Sequence, residues 1–279
     1  MKWKKVMKRK LVKTDLAYES YSADDEKNPT NGIKTSVIDI DAGEIIKTEI
    51  LNSKGEALTG RKMGTYLTIP QGYVYKYTKN EKKRASKVIS RALFEVYKWE
   101  KQPKALVVGL GNREITSDAL GDYVLKELTP TLHLKNASPA LFNSLGYELG
   151  VLFCPTVSQG GILASDTVKG LLKIMDFDLV IAIDSLLTSS KERLLSTVQI
   201  SNTGILPGSA SGKARGEISF ETIGVPVICL GVPTVISAEA LNINFDGEFF
   251  TLSNIDIQMK DLARVIADGI TDFLTISRE

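Results

Sequence analysis

Along the first quarter of the chain, apolar and polar residues alternate in short runs. Segments 35–40, 44–50 and 65–69 read as β-strands, with Gly43, Gly55 and Gly60 between them. Segment 21–32 has almost no apolar content and reads as a loop. A helix follows, because Ala85, Val88, Ile89, Ala92, Leu93 and Val96 fall on one stripe and Thr78 with Glu81 forms a capping box. From residue 105 the pattern becomes strand, glycine turn, helix. Segment 105–112 is a continuous apolar run ending in glycines, as in buried parallel strands. A helix over 118–128, capped by Ser117 or Asp118, comes next, then a strand over 151–155 and a helix over 166–175. Strands at 178–184, 197–201 and 225–231 complete the set. A last helix shows apolar residues at Ile255, Met259, Leu262, Ile266, Ile270 and Phe273.

This alternation predicts an α/β fold: a three-layer sandwich with a mostly parallel central sheet and a small N-terminal β-rich extension. The expected organisation is an arm over 1–15 and a single domain over 16–279, with the β segments of 33–70 inserted in it. The Gly/Ser-rich stretch 208–216 reads as a loop that interrupts the domain without dividing it.

Charge adds one feature to this outline. Lys+Arg 35 against Asp+Glu 33 leaves a net charge of +2, too balanced to suggest nucleic acid as a partner. Yet seven of the first 13 residues are Lys or Arg. No apolar run of signal-peptide length follows them, and the most apolar later stretch is broken by Asp178 and Asp184, which argues against a membrane partner. Cys154 and Cys229 lie in apolar runs without metal-ligand spacing and read as buried reduced thiols. His133 is the only histidine, and it reads as packed or hydrogen-bonded; no metal site and no cofactor are expected. Gly109-Leu110-Gly111 lacks the third glycine of a dinucleotide fingerprint.

Ligands of open α/β sheets gather beyond the carboxyl ends of the strands. Asp118 follows the 105–111 strand by one short loop, and Asp184 closes the 178–184 strand. If those strands are neighbours, the two carboxylates converge, one pKa rises and the pair holds one proton. Such a pair can activate water with one oxygen and protonate a leaving amine with the other. Two plainer roles stay open: Asp118 as a helix cap and Asp184 as an acceptor for backbone at a strand end. No third acid is evident beside them. Lys191, Arg193, Lys213 and Arg215 are loop charges that would suit an acidic substrate side chain.

Several stretches in order resemble the germination proteases of endospore-forming bacteria. They include Thr14-Asp15-Leu16-Ala17, Lys62-Met63-Gly64-Thr65, Val108-Gly109-Leu110-Gly111-Asn112, Thr116-Ser117-Asp118-Ala119-Leu120-Gly121, Ile183-Asp184-Ser185-Leu186, Gln199-Ile200-Ser201-Asn202-Thr203-Gly204 and Gly231-Val232-Pro233-Thr234. The resemblance implies an atypical aspartic endopeptidase whose two essential acids match Asp118 and Asp184. It also implies a fold similar to hydrogenase-maturation proteases, and small acid-soluble spore proteins as substrates. A homotetrameric zymogen in the cytoplasm of the developing spore core is implied as well. Self-cleavage would fall between Asp15 and Leu16, making 1–15 a basic propeptide and 16–279 the peptidase domain. Two other functions on this scaffold are a maturation endopeptidase that recognises bound nickel and a non-catalytic binding module.

Overall fold

The computed structural model describes residues 13–40, 43–207, 216–244 and 247–275. The basic residues of 1–12 and most of the 208–216 loop, with Lys213 and Arg215, therefore lie outside the described residues. Among the described residues one mixed sheet of nine strands organises the chain. In chain order the strands are β1 (Ile33–Ile40), β2 (Gly43–Ile50), β3 (Gly64–Pro70), β4 (Lys104–Gly111) and β5 (Glu148–Pro155). There follow β6 (Leu179–Thr188), β7 (Thr197–Ser201), β8 (Val227–Ser237) and β9 (Phe249–Phe250). Their order across the sheet is β1-β2-β3-β7-β8-β6-β4-β5, with β9 on β8.

The sheet is not mostly parallel, which corrects the sequence expectation. Strands β8, β6, β4 and β5 run parallel, whereas β1, β2, β3, β7 and β8 pair antiparallel in succession, as do β8 and β9. A strand buried on both faces has the same composition in either direction, so its apolar run carries no sign of its polarity. The expected β-rich extension takes the form of β1–β3, which continue the same sheet through β7.

Helices α1 (Lys79–Val96), α2 (Leu120–Glu127), α3 (Ala164–Leu172) and α4 (Ile255–Thr275) cover the sheet. The capping box of Thr78 and Glu81 starts α1 as its sequence predicts. Period-two alternation sorts the strand residues to the two faces. Val107, Ile181, Ile183, Ile200 and Leu230 meet Ile89, Leu93, Leu120, Val124, Leu262 and Ile266 of α1, α2 and α4. Leu106, Val108, Val180, Ala182 and Cys229 share the other cluster with Ala164 and Val168 of α3. Each fully buried Leu or Ile of these layers contributes roughly 1.5–3 kcal/mol through apolar burial.

Two local expectations change. Segment 21–32 is not simply a loop: Ser22 and Asp25 form a capping box around Ala23–Lys27, and Pro29–Asn31 makes a further turn. Those pieces are too short and polar to show a helical period. Strand β6 does not stop at Asp184 but runs on to Thr188, still paired with β8 through Ser185–Val232 and Thr188–Ile236. Asp184 is thus a carboxyl in the middle of a buried strand. That position is costly for a charge and points to a group that keeps its proton.

Candidate active site

The first acid is placed by glycine. At the end of β4, Gly111 takes a φ of +115°, and a Cβ there would stand 2.0 Å from the Asp118 carbonyl oxygen. Only glycine allows the chain to fold back so tightly. The Asn112 N–H donates both to that carbonyl, at 2.9 Å, and to the Asp118 carboxylate, at 3.0 Å. From β8 the Thr234 hydroxyl donates to the Ser117 carbonyl at 2.6 Å. The first turn of α2 then lies against β4, because a Cβ on Gly121 would meet the Leu110 nitrogen at 2.5 Å. No side chain caps α2, so Asp118 is not the expected helix cap. Burial pushes its pKa up to about 6 against the pull of the Asn112 N–H.

The second acid stands on β6, one residue past the Gly109–Ile183 pair with β4 and level with Gly231 of β8. Asp184 is 8% exposed, and its Oδ1 accepts the Ser185 N–H at 2.9 Å. So one of its oxygens does satisfy backbone, though in mid-strand. Burial first, then the charge of Asp118 and more weakly that of Asp15, hold its pKa well above the carboxylate range, against the Ser185 N–H. The further acid acting on Asp184, not evident beside the pair in the sequence pattern, is Asp15.

Asp15 arrives with a segment of chain laid against the ends of β6 and β7. Leu16 and Ala17 are fully buried and Asp15 nearly so. The Asp15 N–H donates to the Leu187 carbonyl at 2.7 Å, and the Leu187 N–H donates back to the Asp15 carboxylate at 2.9 Å. The Gln199 carboxamide on β7 spans the next stretch. Its Nε2 donates to the Asp15 carbonyl at 3.0 Å, and its Oε1 accepts the Ala17 N–H at 2.7 Å. Arg61 lies 3.3 Å from the Asp15 carboxylate and donates to the Thr14 carbonyl. Glu19 anchors the far side, accepting from Thr188 at 2.7 Å and from the Ser189 N–H at 2.8 Å. A cavity of about 340 Å³ opens beside this segment, lined by Asp15, Arg61, Leu186, Gln199 and Gly231 among others.

The other expected residues fall elsewhere. Arg193 pairs with Glu19 at 3.2 Å, and Lys191 is exposed in the adjoining turn. His133 is exposed at the start of the Leu134–Ala137 turn, not packed as the sequence suggested. Cys154 and Cys229 are buried free thiols. The sequence reading misses Arg61 and Gln199. Nothing in its neighbourhood marks Arg61, but Gln199 left a signal. In Thr197-Val198-Gln199-Ile200-Ser201, alternation puts three polar side chains on one face, and all three are buried. A polar face on a buried strand needs partners.

The α/β sheet thus brings two carboxyls of raised pKa to one region with a clamped stretch of the chain's own backbone, a combination whose chemistry suits hydrolysis of a peptide bond. Among known families, the model of the germination protease matches residues 11–253. The germination protease of Bacillus subtilis (strain 168) is 37% identical over 259 residues, covering 90% of this chain and 70% of that protein. Those of Caldanaerobacter subterraneus subsp. tengcongensis and Clostridium acetobutylicum are each 36% identical. They cover 81% and 82% of this chain, and 70% and 72% of their own lengths. The chain belongs to the germination protease family and is a peptidase. A solved [NiFe] hydrogenase maturation protease from Thermococcus kodakarensis KOD1 is 19% identical, with a TM-score of 0.36 over 66% of this chain and 98% of that one, a likeness too slight to argue from. Among the described residues no helix is long and apolar enough to cross a membrane.

Proposed function

We infer that this chain is an aspartic-type endopeptidase of spore germination that first cuts itself between Asp15 and Leu16 and then cuts small acid-soluble spore proteins. The observation that carries this reading is the clamped Thr14-Asp15-Leu16-Ala17 segment near Asp184, whose pKa is held high by burial and by the charges of Asp118 and Asp15. Between pH 6 and the higher pKa of Asp184, Asp118 is the carboxylate and Asp184 the acid. Asp118 takes a proton from water, whose oxygen bonds to the Asp15 carbonyl carbon. Asp184 gives its proton to the Leu16 nitrogen as the C–N bond breaks. The products are a new carboxyl on Asp15 and a free amine on Leu16; the pair still holds one proton, now on Asp118, and its return to Asp184 resets the site. Assembly as a homotetramer in the developing spore core, with removal of a basic propeptide, belongs to the same reading.

The test is intact mass of the purified protein held at a mildly acidic pH still above the Asp118 value of about 6, beside the Asp184→Asn variant. Loss of residues 1–15 from the wild type alone supports self-processing by this pair. An Asp184→Asn protein that processes itself at the wild-type rate removes Asp184 from the chemistry.

A further inference from the structure

Asp184, Gly231 and Gln199 stand in one row across β6, β8 and β7, each paired with the next. Residues paired in this way point to the same face, and adjacent strands are about 4.8 Å apart, so Asp184 and Gln199 lie on one face two strands apart, with the Leu186 side chain over Gly231 between them. The Gln199 carboxamide is itself buried. Its donor and acceptor meet the carbonyl of Asp15 and the N–H of Ala17, with extended backbone at Leu16 between them (φ −81°, ψ 123°). This is the pairing that a neighbouring β-strand would offer, made by one side chain. It reads backbone and is indifferent to side chains. The Leu187 N–H meets the one carboxylate in the segment, and Arg61 meets both that carboxylate and the Thr14 carbonyl.

We propose that Gln199, Arg61 and the Leu187 amide form the substrate cradle of this peptidase. Gln199 aligns the carbonyl to be cut toward the Asp184 side of the row, and Arg61 with Leu187 selects an acidic residue before the cut. The proposal rests on the endopeptidase reading above. On this view the chain's own 14–17 segment lies in the groove in the manner of a substrate. The cavity beside Arg61 and Gln199 continues toward Tyr66, Thr203 and Glu217, giving room for chain beyond the segment already seated. The buried Gln199 carboxamide left without these partners would carry a desolvation penalty, which favours tight capture of any chain that restores them.

Cleavage of two synthetic peptides tests it, one containing Thr-Asp-Leu-Ala and one Thr-Asn-Leu-Ala, by the full-length wild type, Arg61→Gln, Arg61→Lys and Gln199→Leu. The wild type should prefer the Asp peptide by about 10–100-fold in kcat/KM, the usual reach of a charge-assisted hydrogen bond. Arg61→Gln should bring that ratio close to one, mainly through KM, and Arg61→Lys should restore part of it. Gln199→Leu should slow both peptides by about the same factor, on the order of 100-fold as for a lost donor to a reacting carbonyl, and leave their ratio unchanged. An Arg61→Gln enzyme that still favours the Asp peptide as strongly overturns the cradle. So does an Arg61→Gln enzyme that loses both peptides alike without partial recovery in Arg61→Lys, since that is a purely structural effect. Gln199→Leu with wild-type rates also overturns it. A wild type that cuts neither peptide even after incubation under self-processing conditions overturns the endopeptidase reading itself, and is told apart because the failure precedes any substitution.

Discussion

Burial, reinforced by the charge of Asp118, holds the pKa of Asp184 well above the carboxylate range. One carboxyl lies in a loop at the end of β4 and titrates at about 6, while the other sits inside β6, more deeply buried and opposed by its neighbour. The asymmetry assigns them different states over the same pH range, and separate states permit separate roles.

Peptide cleavage should follow a bell in pH. The rising limb passes through about 6, where Asp118 ionises. The falling limb comes at higher pH, where Asp184 gives up its proton. A kcat/KM profile flat from pH 5 to pH 7 would speak against Asp118 as the base.

Stability should also depend on Asp184. Both carboxyls have folded pKa values above those of the unfolded chain, so the folded state binds protons more tightly. Their contribution is most favourable below an unfolded value of about 4 and declines as pH rises toward each folded value. Asp184→Asn should therefore raise Tm at pH 8 and change it little at pH 4. A Tm difference of equal size at both pH values would contradict the burial argument.

Gly111 should tolerate no side chain. Alanine there meets both a φ of +115° and the Asp118 carbonyl oxygen. Gly111→Ala is expected to lose about 2–4 kcal/mol in urea unfolding, the combined reach of backbone strain and overpacking. It should also lose peptide cleavage, because Asp118 moves with the turn. Wild-type stability in this variant would show that the turn can relax.

The cysteines should be inert while the protein is folded. Burial raises the Cys154 thiol to about 11, and burial with the nearby Asp184 charge raises Cys229 further. With a chromogenic disulfide reagent at pH 8, neither should react within minutes in buffer and both should react in denaturant. Prompt reaction of Cys229 in buffer would mean that the cavity it lines opens readily.

Much of the scaffold was legible because its signals are local. The stripe from Ala85 to Val96, the capping box at Thr78 and the apolar runs of β4 and β6 depend on residues within a few positions of one another. The two acids were legible as candidates for the same reason: each follows or interrupts a buried strand. What misled was Asp184 itself, since a charge normally ends such a strand, and here the strand runs on past a buried carboxyl whose pKa that burial raises.

By itself, then, the sequence determined the long strands and helices of the core, that they build an α/β fold, and which two acids lie at the strand ends or within them; the short pieces at Ala23–Lys27, Ser53–Thr59 and Pro139–Leu145 it did not. Only the tertiary structure decided the direction of β7 against β8, the row from Asp184 to Gln199, and the meeting of Arg61 with Asp15, 46 residues away. The physical reason is range. Periodicity and capping act through bonded neighbours, whereas strand polarity, burial and the placing of one charge beside another depend on how distant parts of the chain close together.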